Sequence, residues 1–130
     1  MVEDLILHRL RKAEGAFTDA EMLFERGRYG SAVNRYYYAV FHAIRALLAT
    51  KDLDSPKHSG VISLFNKEFV KNGLMSKKSS KTITKLFNMR SEADYGDFVY
   101  FEKHSVEAVR GDARSLIGEI SVFLSKEWLS

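Results

Sequence analysis

The scarcity of helix breakers is the feature that most constrains the fold of this chain. Pro56 is the single proline among 130 residues, and apolar residues recur every three or four positions rather than every second one. That spacing is typical of amphipathic helices and not of half-buried strands. Cysteine is absent, so a core must form without disulfides, which a chain of this length can do. The sequence therefore predicts a single all-α domain over residues 1–130.

Glycines and short polar turns divide the chain into four long helices and one short helix. On the first helix, one face carries a stripe of apolar residues: Leu7, Leu10, Ala13, Phe17, Ala20 and Phe24. The second helix has almost no purely polar side, and Ser31 is its predicted N-cap. The predicted bounds are 3–26, 29 or 31 to 50, 59–71, 80–95 and 104–129. This organisation predicts an antiparallel four-helix bundle with one additional short helix.

The polar and basic stretch 76–81 lies between the third and fourth predicted helices. Runs of like charge usually face solvent, so we predict a solvated connection here and favour it over a phosphate-binding patch. The net charge of the chain is +3, which permits an anionic partner and does not require one.

Several classes of function are disfavoured by what the sequence lacks. It has no glycine-rich nucleotide loop, and its histidines, His8, His42, His58 and His104, form no i,i+4 pair that would hold a metal ion. We therefore predict no metal and no cofactor. The first residues form no basic and apolar leader, and no apolar stretch approaches about 18 residues. A cytoplasmic location without membrane contact is the prediction that follows.

Polar groups interrupt a core-like pattern in the second helix, in the run SAVNRYYYAVFHAIRALL at 31–48. Arg35 and His42 are two helical turns apart, and Tyr38 and Arg45 fall on the same side, so the four residues form one polar stripe. The three consecutive tyrosines must point in different directions around the helix. On spacing alone, a histidine in such a stripe is more often a packed or interface residue than a catalytic one.

A second polar cluster ends the fourth helix. Arg90 and Asp94 are four residues apart, so an intrahelical ion pair is expected, and Tyr95 follows at the helix end. On spacing alone, a structural role for this pair is favoured over a role in a site. If the fourth helix neighbours the second, the two clusters can meet. Arginine is then suited to phosphate, histidine to proton transfer, and tyrosine to RNA bases.

Four blocks of the sequence together resemble one protein family. They are Ala-Glu-x-Leu at 20–23, the second-helix block at 29–48, His-Ser-Gly-Val at 58–61 and Arg-Ser-Glu-Ala-Asp-Tyr at 90–95. Over about 10–123, the pattern is similar to a small prokaryotic branch of the HEPN superfamily. The resemblance implies a helical bundle that forms a homodimer and often pairs with a minimal nucleotidyltransferase. It also implies binding or cleavage of RNA, because many HEPN proteins are metal-independent endoribonucleases, including toxins of toxin–antitoxin modules. Others bind RNA or nucleotides without cleaving them.

The resemblance further points to a site. The family's catalytic signature is an arginine followed, after four to six residues, by a histidine, and Arg35 with His42 fits its loose form. In active members the signature usually lies on a later helix, before a tyrosine. There this chain has Asp94 and Tyr95 after Arg90, with no histidine.

Two hypotheses follow from this comparison. In the first, the chain is a metal-independent endoribonuclease of a toxin–antitoxin-type module. Its predicted catalytic residues are Arg35, His42 and Arg90, and its predicted substrate-binding residues are Tyr38, Arg45, Asp94 and Tyr95. In the second, the chain is a noncatalytic, dimerising interaction module that docks a nucleotidyltransferase or binds a nucleotide.

Overall fold

The chain folds into five α-helices in the computed structural model, which describes residues 1–128. The helices are α1 (Val2–Glu25), α2 (Tyr29–Ala49), α3 (His58–Phe65), α4 (Lys77–Tyr95) and α5 (Lys103–Glu127). A π-helical turn, Asn66–Val70, continues α3 over the rest of the predicted third helix. No strand occurs in residues 1–128, and the predicted all-α bundle of four long helices and one short helix is confirmed. In the same residues, no helix is both long and apolar enough to cross a membrane.

Helix α2 lies at the centre of the bundle and contacts each of the other four helices. Its sequence explains this position, because small and branched apolar residues cover most of its circumference and let the neighbouring helices pack closely. From residue 32 to residue 49, all but five residues are buried. The five half-buried ones are Asn34, Arg35, Tyr38, His42 and Arg45. Helix α2 therefore presents one narrow strip to solvent, bordered by α1 on one side and by α3 and α4 on the other.

Two helix ends differ from prediction or fall outside the described part of the chain. Helix α2 begins at Tyr29, so the prediction that Ser31 is its N-cap is wrong. The reason is Gly27, whose φ of 73° turns the chain directly after α1 and lets the next helix start at once. At the other end of the chain, α5 ends at Glu127, and the predicted end at Leu129 lies outside the described residues.

Residues 77–81 are helical, so the prediction of a connection there is wrong, although Ser76, Lys77, Lys78 and Lys81 are exposed as predicted. Ser76 is the N-cap of α4, and its hydroxyl oxygen accepts a hydrogen bond of 3.1 Å from the backbone N–H of Ser79. This bond satisfies one of the backbone donors that a helix start leaves without an intrahelical partner. The polar segment therefore forms the first turns of α4, which begins at Lys77.

The apolar stripe of α1 is rotated relative to the prediction at its start. Leu7 is 37% exposed, whereas Ile6 and Arg9 are buried. Arg9 is drawn inward because its guanidinium donates to the backbone carbonyl of Arg45 at 2.8 Å and to Asp54 at 3.2 Å. Ile6 therefore takes the core position that the periodicity assigned to Leu7, and Arg9 is buried on the same end of the helix with these polar partners.

Candidate functional site

The half-buried ring of Tyr38 lies at the centre of the exposed strip of α2, and charged and imidazole side chains surround it. The guanidinium carbon of Arg35 lies 4.9 Å from the centroid of this ring, and that of Arg90, from α4, lies 5.7 Å from it. Two imidazole rings are also close, with centroid distances of 6.1 Å for His42 and 5.8 Å for His58. We call Arg35, Tyr38, His42, His58 and Arg90 the Tyr38 cluster. The structure thus brings the two predicted polar clusters together.

Arg90 is held inside an aromatic pocket. Its side chain is buried, its guanidinium carbon lies 4.8 Å from the Tyr37 ring centroid, and its Nη1 lies 3.5 Å from Asp94. Burial opposes the charge of Arg90, but Tyr38, Tyr37 and Asp94 outweigh it and raise the pKa of this guanidinium. The Nε of Arg90 is buried and has no hydrogen-bond partner among the described residues. The cation is therefore permanent and incompletely satisfied.

His58 receives two donors on one ring nitrogen. The Tyr37 hydroxyl lies 2.8 Å from His58 Nδ1, and Nη2 of Arg90 lies 3.3 Å from the same atom. Because an arginine can only donate, Nδ1 must accept, and the neutral ring then carries its proton on Nε2. Burial, followed by the charges of Arg90 and Arg45, lowers the pKa of His58. Burial also raises the pKa of Tyr37 to about 12.

Arg35 is the cation of the strip that lacks a carboxylate partner among residues 1–128. Its Nε and Nη2 donate to the side-chain oxygen of Asn34 at 3.0 Å and 2.8 Å. The amide of Asn34 in turn donates to both oxygens of Asp94, at 3.2 Å and 3.1 Å. Asp94 is thus occupied by Asn34 and Arg90, and the charge of Arg35 remains available to a ligand.

His42 is neutral near pH 7. Burial, followed by the surrounding charges of Lys12, Arg45, Arg35 and Arg9, lowers the pKa of His42 to about 4. Its Nδ1 is buried and has no hydrogen-bond partner among the described residues. A bound anion beside this ring would oppose the effect of the cations and raise the pKa of the imidazole.

Two other predicted site residues lie at the edges of the strip. Arg45 is engaged by Asp54, with 2.8 Å between Nη2 and Oδ2, and it borders an open pocket of about 460 Å³ together with Asp54 and His58. Tyr95 is 81% exposed at the end of α4, beyond the Tyr38 cluster. The structure therefore gives Arg45 an ion pair within the fold and leaves Tyr95 to solvent.

His58 is the residue of the cluster that the sequence did not assign to a site. It begins the His-Ser-Gly-Val block of the resemblance, which was the available signal, but no helical spacing relates it to Arg90, 32 positions away. Its position depends on the loop before α3, which approaches the helix closely. A Cβ added to Gly60 would collide with the side chain of Ser55, so this approach requires glycine.

The cluster is suited to a phosphate ester carrying an aromatic base. The planar fork of an arginine binds two phosphate oxygens at once. The face of a half-exposed tyrosine can stack on a base, and imidazole can donate or accept a proton near neutral pH. Across residues 1–128, no three His, Asp or Glu side chains lie close enough together to hold a metal ion.

Comparison with known proteins gives a consistent result. The family model of the HEPN domain matches residues 6–123 of this chain. A UPF0332 protein of Thermotoga maritima is 43% identical over 105 residues, which cover 81% of this chain and 80% of that protein. Two proteins of Methanocaldococcus jannaschii, each named “Putative toxin”, are also similar. One is 40% identical over 114 residues, covering 88% of this chain and 79% of its own length. The other is 33% identical over 117 residues, covering 90% and 75%.

Proposed function

The chain belongs to the HEPN domain family, as its motifs predicted, and from this premise we propose that it is a toxin-type HEPN protein that binds RNA at the Tyr38 cluster. The observation that carries the proposal is the position of two guanidinium groups, Arg35 and Arg90, against the ring of Tyr38. The similarity to proteins that carry a toxin name supports the type of function.

The charges around the cluster favour a polyanion. The carboxylates that contact residues of the strip are already engaged, Asp94 by Asn34 and Arg90, and Asp54 by Arg45 and Arg9. Arg35 has no such partner among residues 1–128 and can bind phosphate without breaking an ion pair. Phosphate contacts supply most of the affinity of nucleic-acid-binding proteins, and an aromatic face beside them accommodates unpaired bases of any sequence.

The direct test is binding of a labelled single-stranded RNA of about 20 nucleotides, measured by fluorescence anisotropy in EDTA. We expect Arg35→Ala to weaken binding about tenfold or more, because a hydrogen bond to a charged group contributes about 1.5–3 kcal/mol. Arg90→Lys keeps the charge and loses the fork, so we expect a smaller loss.

Arg114→Ala is the control, because it removes the same charge from α5, where the side chain is 63% exposed and contacts Glu21 only at 3.7 Å. We expect it to change affinity by less than about twofold. Equal losses in Arg35→Ala and Arg114→Ala, or no RNA binding by the wild-type chain at low salt, would contradict the proposal.

Metal-independent cleavage at the same cluster is the second candidate, and the two histidines favour it. One imidazole would accept the proton of a ribose 2′-OH, and the 2′-oxygen would attack the adjacent phosphorus. The other imidazole would donate a proton to the leaving 5′-oxygen, which yields a 2′,3′-cyclic phosphate and a free 5′-OH. Arg35 and Arg90 would stabilise the charge that develops on the phosphate oxygens. The negative phosphate raises the pKa of both imidazoles toward the range that proton transfer needs.

Incubation of the purified chain with total RNA in EDTA tests this candidate. We expect cyclic-phosphate ends from the wild-type chain and a large loss of turnover in His42→Gln and in His58→Gln, with RNA binding retained. Binding without turnover would instead support the noncatalytic module. Both the endoribonuclease and the noncatalytic module are expected to form a homodimer and to bind a minimal nucleotidyltransferase. Light scattering measures both associations, on the chain alone and on the chain mixed with the product of a neighbouring nucleotidyltransferase gene.

A further inference from the structure

A row of lysines on α4 is the most prominent charged surface outside the Tyr38 cluster. Lys77, Lys81 and Lys85 are spaced four residues apart, so their side chains lie along one side of the helix, and all three are exposed. We call these three residues the lysine ridge. Lys78 differs from them, because its Nζ lies 3.7 Å from a carboxylate oxygen of Asp112 on α5.

The lysine ridge is not neutralised by any carboxylate of the described residues. Within residues 1–128, none of its three ammonium groups forms a salt bridge, in contrast to Lys51, Lys78 and Lys103. The sequence from residue 69 to residue 91 contains six Lys or Arg and no Asp or Glu. Two carboxylates of α5 approach this segment, but Asp112 lies against Lys78 and Glu119 is bonded to Ser76, so the surface of the ridge itself remains positive.

The lysine ridge also opposes the electrostatics of its own helix. The first turn of a helix carries partial positive charge, so a lysine there is unfavourable, as are like charges four residues apart. Helix α4 has no acidic residue in its first turn, and its acids, Glu92 and Asp94, lie at the opposite end. A carboxylate does reach this end of α4, because Glu119 of α5 accepts from the backbone N–H of Ser76 at 2.8 Å and from its hydroxyl at 2.9 Å. It forms no ion pair with the ridge lysines, so their mutual repulsion remains, and a bound polyanion would relieve it.

We propose that the lysine ridge binds the phosphates of an RNA strand that crosses the exposed side of α4 from the Tyr38 cluster. Lys85 precedes Arg90 by five residues, which is about 7.5 Å along the helix axis and about 140° around it, so the strand must pass over the helix to contact both surfaces. The inference rests on the proposed function and narrows its substrate to a strand long enough to span both surfaces. A mononucleotide at the Tyr38 cluster would leave the lysine ridge empty.

The test compares two triple variants that remove the same charge. The ridge variant combines Lys77→Gln, Lys81→Gln and Lys85→Gln. The control variant combines Lys103→Gln, Arg114→Gln and Lys126→Gln on α5, where all three side chains are exposed. Binding of an oligouridylate of about 20 nucleotides is measured between about 50 and 200 mM salt, and binding of uridine 3′-monophosphate and of polyglutamate is measured in parallel. Circular dichroism checks that both variants are folded.

We expect the ridge variant to bind the oligouridylate at least about tenfold more weakly at low salt. Its plot of log K against log salt should be shallower by about 2, because each phosphate contact on a single strand contributes about 0.7 to the slope. Affinity for the mononucleotide should be unchanged, and the control variant should match the wild type.

Unaltered oligouridylate binding by the ridge variant, with the wild type binding well, would overturn this inference alone. Failure of the wild type to bind any RNA would remove the proposed function as well. Wild-type binding of polyglutamate as tight as that of RNA, lost in the ridge variant, would assign the ridge to an acidic protein and overturn the inference.

Discussion

Helix α2 separates two polar regions that are built differently. One is centred on Glu21 of α1, whose carboxylate accepts three hydrogen bonds from Arg110 of α5. Two of them, of 2.7 Å and 3.0 Å, reach one oxygen, and the third, of 2.8 Å, reaches the other. The Tyr36 hydroxyl donates to the same carboxylate at 3.0 Å. We call this the Glu21 network. The other region is the Tyr38 cluster. Its central residue follows Tyr36 by only two positions along α2.

The difference lies in how completely each region satisfies its own groups. In the Glu21 network the carboxylate meets the guanidinium of Arg110, a hydroxyl and, at 3.7 Å, the guanidinium of Arg114, and it joins α1, α2 and α5. The hydrogen bond from Arg110 lowers the pKa of Glu21 despite burial. In the Tyr38 cluster, Arg35 lacks a carboxylate among residues 1–128, and buried nitrogens of His42 and Arg90 have no partner there. Buried polar groups without partners destabilise a fold. The first region therefore satisfies its own polar groups, whereas the second leaves some of them without a partner, as the proposed RNA-binding site requires.

The strongest way to break this comparison is Glu21→Gln. We expect the variant to lower the free energy of unfolding by about 2 kcal/mol, because it removes a charge-assisted pair of hydrogen bonds from Arg110. Urea denaturation followed by circular dichroism measures this. Glu25→Gln, at an exposed position of the same helix, is the control and should change stability by less than about 0.5 kcal/mol. Lost RNA affinity in folded Glu21→Gln would show that the two regions are not separate.

The fold was predictable because it depends on local spacing. The apolar period of three to four residues is present in each long helix, and it fails mainly where a polar group takes a special role, as at Arg9 and at the Ser76 cap. The stripe of Arg35, Tyr38 and His42 was predictable for the same reason. The Glu21–Arg110 pair joins residues 89 positions apart, and helical spacing carries no information about it. The same limit hid His58, because a short helix and a loop place it in the cluster.

Substitutions of Tyr38 and Tyr36 test the difference between the two regions, and their expected effects are the next largest. We expect Tyr38→Ala to weaken RNA binding by about 1–2 kcal/mol, because stacking on a base contributes about 1–3 kcal/mol, whereas Tyr38→Phe keeps most of the affinity. Tyr36→Phe should lower the free energy of unfolding by about 1 kcal/mol through the lost bond to Glu21 and leave RNA binding unchanged. Anisotropy and urea titrations on all three variants test this. An RNA-binding defect in Tyr36→Phe larger than that in Tyr38→Ala would contradict the assignment.

The pH dependence of stability tests the open region through His42. Its pKa is lowered to about 4 in the folded chain, whereas the unfolded value is about 6.5. Between these values the unfolded state binds more protons, so stability is complete above about pH 6.5 and falls as the pH decreases toward 4. We expect His42→Gln to recover about 1 kcal/mol of this loss at pH 5. Urea titrations from pH 7 to pH 5 measure the difference from the wild type. Parallel pH profiles for the two chains would show that His42 is solvated and not held in the cationic surroundings described here.

Asp94→Asn has the smallest expected effect, but its sign separates two roles for this residue. As a substrate-binding group, Asp94 would contribute to RNA affinity, and its removal would weaken binding. In the structure its carboxylate instead accepts from Asn34 and lies beside Arg90, where it repels a phosphate and partly neutralises the cluster. We therefore expect Asp94→Asn to tighten RNA binding about twofold, and to lower the free energy of unfolding by about 0.5 kcal/mol through the lost ion pair. Glu92→Gln, which removes a charge from an exposed position of the same helix, controls for the change in net charge. Weaker RNA binding by folded Asp94→Asn, with unchanged binding by Glu92→Gln, would show that Asp94 itself binds the substrate.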